Sequence, residues 1–172
     1  MPHTSDWQVF GSPAAGKTGT VSLYAQGHAR LLEKYSDKTE RLPSPAVLTL
    51  YCAASSPALS VSIMPPVEAI LDKQLDHTAT YKLDDGSFRN LSLVSPATVR
   101  IHLANRLNLP EGLPLPFKVM FPNHGTTLAV DLLNSKKLVV RMRTMTGDIL
   151  EMDFPTQGLL PVAKESRRLC SW

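Results

Sequence analysis

Proline is the residue that most strongly limits what this chain can fold into. Fourteen of its 172 residues are proline, about 8% against a usual share of about 5%. Because proline removes a backbone donor and clashes inside helices, this content argues against a helical bundle. The length corresponds to one domain, and a chain of this size buries enough surface to fold without a metal or a disulfide lattice.

Alternation of apolar and polar residues predicts strands in several places. Residues 20–26 alternate as a half-buried strand does. Residues 46–63 predict a hairpin that turns at Ser55-Ser56-Pro57. Residues 81–94 predict another, because Asp84-Asp85-Gly86 is a strong turn signal.

The hairpin at 137–154 is specified down to its register. A three-residue loop, Met145-Thr146-Gly147, requires a positive φ at Gly147 and sets Thr144 opposite Asp148. Arg141 then lies opposite Glu151 on the polar face, as an ion pair worth at most a few tenths of a kcal/mol. The apolar face pairs Leu138 with Phe154, Val140 with Met152, and Met142 with Leu150.

The remaining segments give weaker signals. Ser95-Pro96 predicts a helix start and a helix to about Asn108, and the segment 159–169 predicts at least one helical turn. Residues 117–121 and 127–133 are interpreted as a strand pair. Residues 1–172 are therefore expected to form a single mainly β domain, an antiparallel β-sandwich or open barrel with one or two short helices.

Charge and hydropathy exclude some classes of protein. The formal net charge is +3, and acidic residues lie near basic groups such as Lys136-Lys137, so we interpret these as solvated surface rather than a nucleic-acid site. No apolar run approaches the roughly 20 residues that a membrane span needs. The first residues lack the features of a signal peptide, which indicates either a cytoplasmic protein or a mature chain whose leader has been removed.

One segment matches a nucleotide-binding motif letter for letter. Residues 11–18 fit G-x-x-x-x-G-K-[ST], in which Gly11 and Gly16 shape the loop, Lys17 reaches phosphates and Thr18 holds Mg²⁺. Such a loop must be followed directly by a helix. The next residues, 19–24, favour a strand instead.

Other requirements of the nucleotide-binding fold are also poorly met. Helical character is expected only later, in 29–35, and Asp131 is the only candidate for the aspartate on the Mg²⁺ side. We therefore interpret 11–18 as a surface loop, and keep nucleotide binding through it as an alternative.

The sequence contains no recognisable motif of catalysis or metal binding. The five histidines show no zinc-site spacing, no G-x-S-x-G elbow is present, and turns and exposed strand faces account for the carboxylates. The sequence thus predicts no catalytic residue, no cofactor and no metal site, and favours binding over catalysis.

The two cysteines leave two possibilities open. Cys52 and Cys170 are 118 positions apart, too far for a C-x-x-C redox or zinc pair. In an oxidising compartment they would bridge the C-terminal segment to the domain body. In the cytoplasm they would be buried thiols.

Short patterns spread along the chain resemble one known family, the VasI-like (TagO-like) accessory proteins associated with bacterial type VI secretion. The ending Cys170-Ser171-Trp172 is the most telling of them. A helix-and-proline stretch at 95–116 has no counterpart in the family, and the family's Arg-Leu-x-Cys-Tyr-Asp stretch is missing. The other matching patterns are Trp7-x-Val9, Ser12-Pro13, Thr20-Val21-x-Leu23-x-Ala25, Leu48-x-Leu50-x-Cys52, Tyr81 to Gly86, Leu138 to Arg141, Gly147, Phe154 and Gly158-Leu159.

The resemblance implies a periplasmic, non-enzymatic β-domain of the bacterial envelope that has a protein partner, and a Cys52–Cys170 disulfide formed after export. An accessory role in type VI secretion is then the leading functional prediction. An immunity or inhibitor protein that neutralises a secreted toxin or enzyme is the first alternative, and a nucleotide-binding protein that uses 11–18 is the second. The invasion-associated locus B family is a weaker match, because its pattern requires a cysteine at Gly11.

Overall fold

The structure is a computed structural model, and it is mainly β, as predicted. It describes residues 7–12, 19–53, 56–66, 69, 75–91, 119–120, 125–144 and 147–172. The strands are β1 (Trp7–Ser12), β2 (Thr20–Leu32), β3 (Thr39–Arg41), β4 (Ala46–Ala53), β5 (Ser56–Met64), β6 (Leu75–Leu83), β7 (Arg89–Leu91), β8 (Val119–Met120), β9 (Lys137–Thr144) and β10 (Ile149–Pro155). The helices are α1 (Gly125–Leu133), α2 (Leu159–Val162) and α3 (Lys164–Cys170).

All of these strands pair antiparallel in one curled sheet, an open half-barrel, in the order β7-β6-β9-β10-β2-β4-β5-β8. The strand β2 joins the two halves of this sheet. Its residues 20–27 pair with β4 and its residues 28–32 with β10, on opposite edges. The strands β1 and β3 pair with β2 as well, so this one strand contacts both half-sheets.

The inner, concave face of the sheet carries the hydrophobic core. Alternate residues of β2, such as Leu23 and Leu31, are at most 1% exposed. The alternation predicted this pattern for residues 20–26. From the same side, α1 packs against β5, α2 against β1, and α3 against β2, β4 and β5. The outer face of β2 is polar, because the alternation places Gln26, His28 and Arg30 there.

The predicted hairpins are confirmed. Residues 46–53 and 56–64 pair as β4 and β5, although the turn lies before Ser56, which already pairs with Ala53. The strand β6 pairs with β7 beyond the Asp84 turn. In the β9–β10 hairpin, Arg141 lies opposite Glu151, Gly147 has a φ of 92°, and the apolar pairs have the predicted register. The two short helices at 159–162 and 164–170 confirm the helical prediction for 159–169.

Two segment predictions are wrong, and a third cannot be compared. Residues 127–133 belong to the helix α1 rather than to a strand, because Leu128, Ala129 and Leu132 recur with helical spacing on the buried side; β8 pairs with β5 instead. Residues 29–32 continue β2 instead of starting a helix. The predicted helix at 95–108 lies outside the described residues.

Candidate functional site

The segment that matches the nucleotide-binding motif begins in a strand and leads to another strand. Gly11 lies in β1 opposite Val21, and Thr20 begins β2 opposite Ser12 in the β1–β2 hairpin. Gly16, Lys17 and Thr18 lie outside the described residues. A Cβ atom at Gly11, whose φ is 129°, would collide with the carbonyl of Thr20. The hairpin itself therefore requires this glycine.

The described residues on either side of this segment do not provide the surroundings that a phosphate-binding loop needs. The helix that should follow Thr18 is replaced by β2, as the local pattern predicted. Asp131, the aspartate considered for the Mg²⁺ side, lies in the helix α1 rather than at the end of a strand. The strands that flank this segment, β1 and β2, thus pair as a hairpin.

The two cysteines form the disulfide that the family resemblance implies. Cys52 in β4 and Cys170 at the end of α3 are bonded, with their Cα atoms 6.1 Å apart. The indole Nε1 of Trp172 donates a hydrogen bond of 2.9 Å to Ser166 Oγ, and both residues are buried. The bridge therefore holds the helix α3 and Trp172 against the inner face of the sheet.

The outer face of the sheet is interrupted where two strands share one edge of β2. The strand β1 pairs with β2 as far as Ala25, and β10 pairs with it from His28, so Gln26 and Gly27 lie between them. We call this interruption the fork. The ring of Phe154 packs so closely over Gly27 that a Cβ atom there would lie 2.5 Å from its Cδ1.

Above the fork lies an open groove of about 970 Å³. One wall is aromatic, because the rings of Phe10 and Tyr24 meet edge to face with centroids 5.4 Å apart, and Phe10 is 56% exposed. The opposite wall comes from β10 and the start of β9, and its ionisable residues are Asp153, Lys136 and Lys137. The floor and rims are completed by Gln8, Gln26, His28, Val47, Phe154 and Pro155.

Among the residues that line the groove, Asp153 has a buried polar atom without a hydrogen-bond donor in the described part of the chain. This atom is Oδ1 of its carboxylate. Leaving a buried acceptor unpaired costs about 1–3 kcal/mol. His28 lies directly opposite on β2, but its Nδ1 is 3.0 Å from Arg41 Nη2 and accepts from that guanidinium.

Next to the groove, Glu151 joins three strands through two arginines. It is 3% exposed, accepts from Arg30 of β2, and accepts at 2.7 Å from Nε of Arg141 of β9. Burial acts to raise the pKa of Glu151, but the hydrogen bonds and charges of the two arginines together lower it below its ordinary value. Arg141 also lies over the ring of Phe88, 4.4 Å from its centroid.

This cluster corrects one part of the sequence interpretation. Arg141 opposite Glu151 was predicted as an exposed and weak pair, whereas the carboxylate is buried and has a second partner in Arg30. Sequence reasoning found Lys136 and Lys137 only as a solvated basic group, and it missed the rest of the groove. Alternation along the strands does indicate which residues point outward. Which of these residues lie together, however, depends on the pairing of β2 with β10.

The described residues hold no group of three metal-ligating side chains in reach of one ion, and none of their helices is long and apolar enough to span a membrane. Comparisons with known proteins add no relative: no family model, curated protein or solved structure matches this chain significantly.

Proposed function

We propose that this protein is a non-enzymatic binding domain of the bacterial envelope, and that it acts in the periplasm as an accessory component associated with type VI secretion. The groove above the fork carries the proposal. It presents a large exposed aromatic side chain, Phe10, beside polar side chains on a rigid sheet, and such concave mixed surfaces are typical of binding sites.

Two further features support the compartment and the role. The Cys52–Cys170 disulfide is typical of proteins that reside in an oxidising compartment, such as the bacterial periplasm. The accessory role rests on the resemblance of short patterns to the VasI-like proteins. A protein partner is expected for this accessory role, and the exposed ring of Phe10 is the strongest anchor that the groove offers to a ligand.

Deletion and complementation in the source bacterium test this function. We expect deletion of the gene to abolish export by the type VI apparatus, and the wild-type gene to restore it. Phe10→Ala should restore export only weakly, whereas Tyr35→Ala removes an aromatic ring that is 86% exposed away from the groove and should restore it fully.

The other outcomes identify the alternatives. If export continues in the deletion strain but its cells are killed by wild-type sister cells, the protein is an immunity protein. If export depends on Lys17 but not on Phe10, the function involves 11–18 rather than the groove. Normal export without killing would contradict both the accessory and the immunity role.

A further inference from the structure

We propose that the groove above the fork binds an acidic glycan, a chain of pyranose rings that carry carboxylates. The inference rests on the proposed function in one respect, because it takes this groove to be the binding site. It goes beyond that function by naming the class of ligand. Four properties of the groove support it: its place on the sheet, its aromatic wall, its hydrogen-bonding side chains and its charge.

The groove lies on the outer face of the sheet, where outward side chains of β1, β2 and β10 line it. On β2, Tyr24 pairs with strands on both edges, whereas Gln26 lies in the fork and pairs only with β4. Because most backbone groups of β2 are engaged in ladders and the gap at the fork spans only two residues, β2 offers no free edge long enough for an added peptide strand. A ligand here is recognised by side chains, and this favours a glycan over an extended peptide, whose every amide needs partners.

The aromatic wall suits a sugar ring. Phe10 and Tyr24 meet at an interplanar angle of 67° and form a corner, and more than half of the surface of Phe10 is exposed. The C–H groups on one face of a pyranose make dispersion contacts with an aromatic ring of this size. The side chain of Val47 lies in the same groove and extends its apolar part.

The polar side chains of the groove suit hydroxyl groups. The amides of Gln8 and Gln26 both donate and accept, whereas Asp153 only accepts when ionised. Asp153 lines the groove and is partly exposed, although its Oδ1 atom is buried, so a ligand contacts the exposed part of the carboxylate. A sugar hydroxyl is a donor to this carboxylate and an acceptor for the amides, so one type of group suits all three side chains.

The charge of the groove indicates an acidic sugar. Lys136 and Lys137 lie on the same wall as Asp153, so this wall has one positive charge in excess. A carboxylate is attracted to the two ammonium groups, while a hydroxyl of the same ring faces Asp153. The backbone amides of both lysines donate to Asp84 Oδ1, at 2.8 and 3.0 Å, which fixes the chain at this point.

Calorimetric titration of the full, disulfide-bonded chain tests the inference. The probes are the trimers of galacturonate and of mannuronate, and the same trimers with their carboxylates reduced to hydroxymethyl groups. We expect the acidic trimers to bind with dissociation constants of about 10 μM to 1 mM, and the reduced trimers at least about tenfold more weakly.

Matched variants separate the two kinds of contact. Lys136→Ala with Lys137→Ala should remove the preference for acidic trimers and leave the folding midpoint unchanged. Lys164→Ala, which removes an exposed lysine of α3, is the control and should keep that preference. Phe10→Ala should weaken acidic and reduced trimers alike by about tenfold. Tyr35→Ala is its control and should change neither.

Three results would overturn the inference. The first is that no acidic trimer binds at about 5 mM, and the second is that trimers bind but the groove variants do not lower their affinity. The third is that a hexaglutamate peptide binds in the groove and the trimers do not. The last result assigns the groove to an acidic peptide. If trimers fail to bind while Phe10→Ala still abolishes complementation of the deletion strain, only the glycan inference falls. If trimers bind as expected but Phe10→Ala complements fully, the proposed function falls instead.

Discussion

The indole Nε1 of Trp7 donates a hydrogen bond of 3.1 Å to the carbonyl oxygen of Pro155. These residues belong to β1 and β10, which share one edge of β2 and pair with it rather than with each other in the described part of the chain. The bond therefore connects the two arms of the fork. Both arms contribute to the groove at this point, since Pro155 accepts this hydrogen bond and Gln8 follows Trp7 in β1.

Loss of this hydrogen bond should weaken the attachment of β1. Trp7→Phe keeps an aromatic ring in a site that is 4% exposed but removes the donor and leaves the Pro155 carbonyl without it. We expect the free energy of unfolding to fall by about 1–2 kcal/mol, as measured by urea denaturation followed by far-UV circular dichroism. Tyr35→Phe, at an exposed position, is the control, and equal stability of Trp7→Phe and wild type would show that the bond is unimportant.

The fork should tolerate no side chain at Gly27. The Cβ atom of Gly27→Ala would overlap the carbonyl oxygen of Asp153 and approach the ring of Phe154. Because backbone and a buried ring must both move, we expect a loss of about 2–4 kcal/mol in thermal or urea unfolding.

Gly86→Ala provides the matched control for this substitution. Its Cβ atom would have the carbonyl oxygen of Leu83 as its nearest neighbour, at 3.0 Å, in an exposed turn. We expect it to cost less than about 1 kcal/mol. If both variants lost the same stability, the close packing at the fork would not be the cause.

The ion cluster at Glu151 should make stability depend on acid pH. The pKa of Glu151 is lowered in the folded chain, so its ionised form contributes stability above the unfolded pKa, about 4.3, and this contribution is lost as pH falls through the folded pKa. We expect Glu151→Gln to lower the free energy of unfolding by about 1–3 kcal/mol at pH 7, since both arginines are partly exposed.

Below the folded pKa the two proteins should converge. Urea unfolding at pH 7, 5 and 3 measures the difference, which should shrink toward pH 3. Glu165→Gln breaks the exposed pair with Arg168 and should change stability by less than about 1 kcal/mol throughout. A difference for Glu151→Gln that stays constant from pH 7 to pH 3 would contradict the linkage.

The disulfide should contribute measurably to stability. Closing a loop between residues 118 positions apart restricts the unfolded chain, and removal of a native bridge costs about 2–5 kcal/mol. We expect Cys52→Ser with Cys170→Ser to lose this amount and to move Trp172 emission toward that of an exposed indole, because α3 is then held only by packing. Reduction of the wild type by dithiothreitol should reproduce the loss, and unchanged stability would show that packing alone holds α3.

Local patterns determined how much of this structure could be predicted. The β9–β10 register follows from a short loop and from apolar residues that alternate on both strands, so every pair could be deduced. The segment 127–133 failed because Thr127 and Val130 favour strands locally, while the burial of Leu128 and Leu132 against the sheet decides for a helix. Residues 29–32 contain good helix formers, yet pairing with β10 extends β2 through them.

The groove could not be predicted for a related reason. Phe10, Gln26 and Asp153 are each visible as outward positions of a strand, but they come together only because β2 pairs with β1 over one stretch and with β10 over the next. Alternation shows which face a residue occupies and carries no information about which strand lies on each edge. The fork is a product of long-range pairing.

The position of β2 between the two half-sheets has a consequence for how the chain reaches its final state. While the protein is being synthesised, residues 20–27 can pair with β4 soon after they emerge, but residues 28–32 must wait for β10, more than 110 positions later. During that interval the backbone groups along one edge of residues 28–32 are unpaired and open to other chains. A nascent chain of this protein is therefore expected to need a chaperone until its last hairpin arrives.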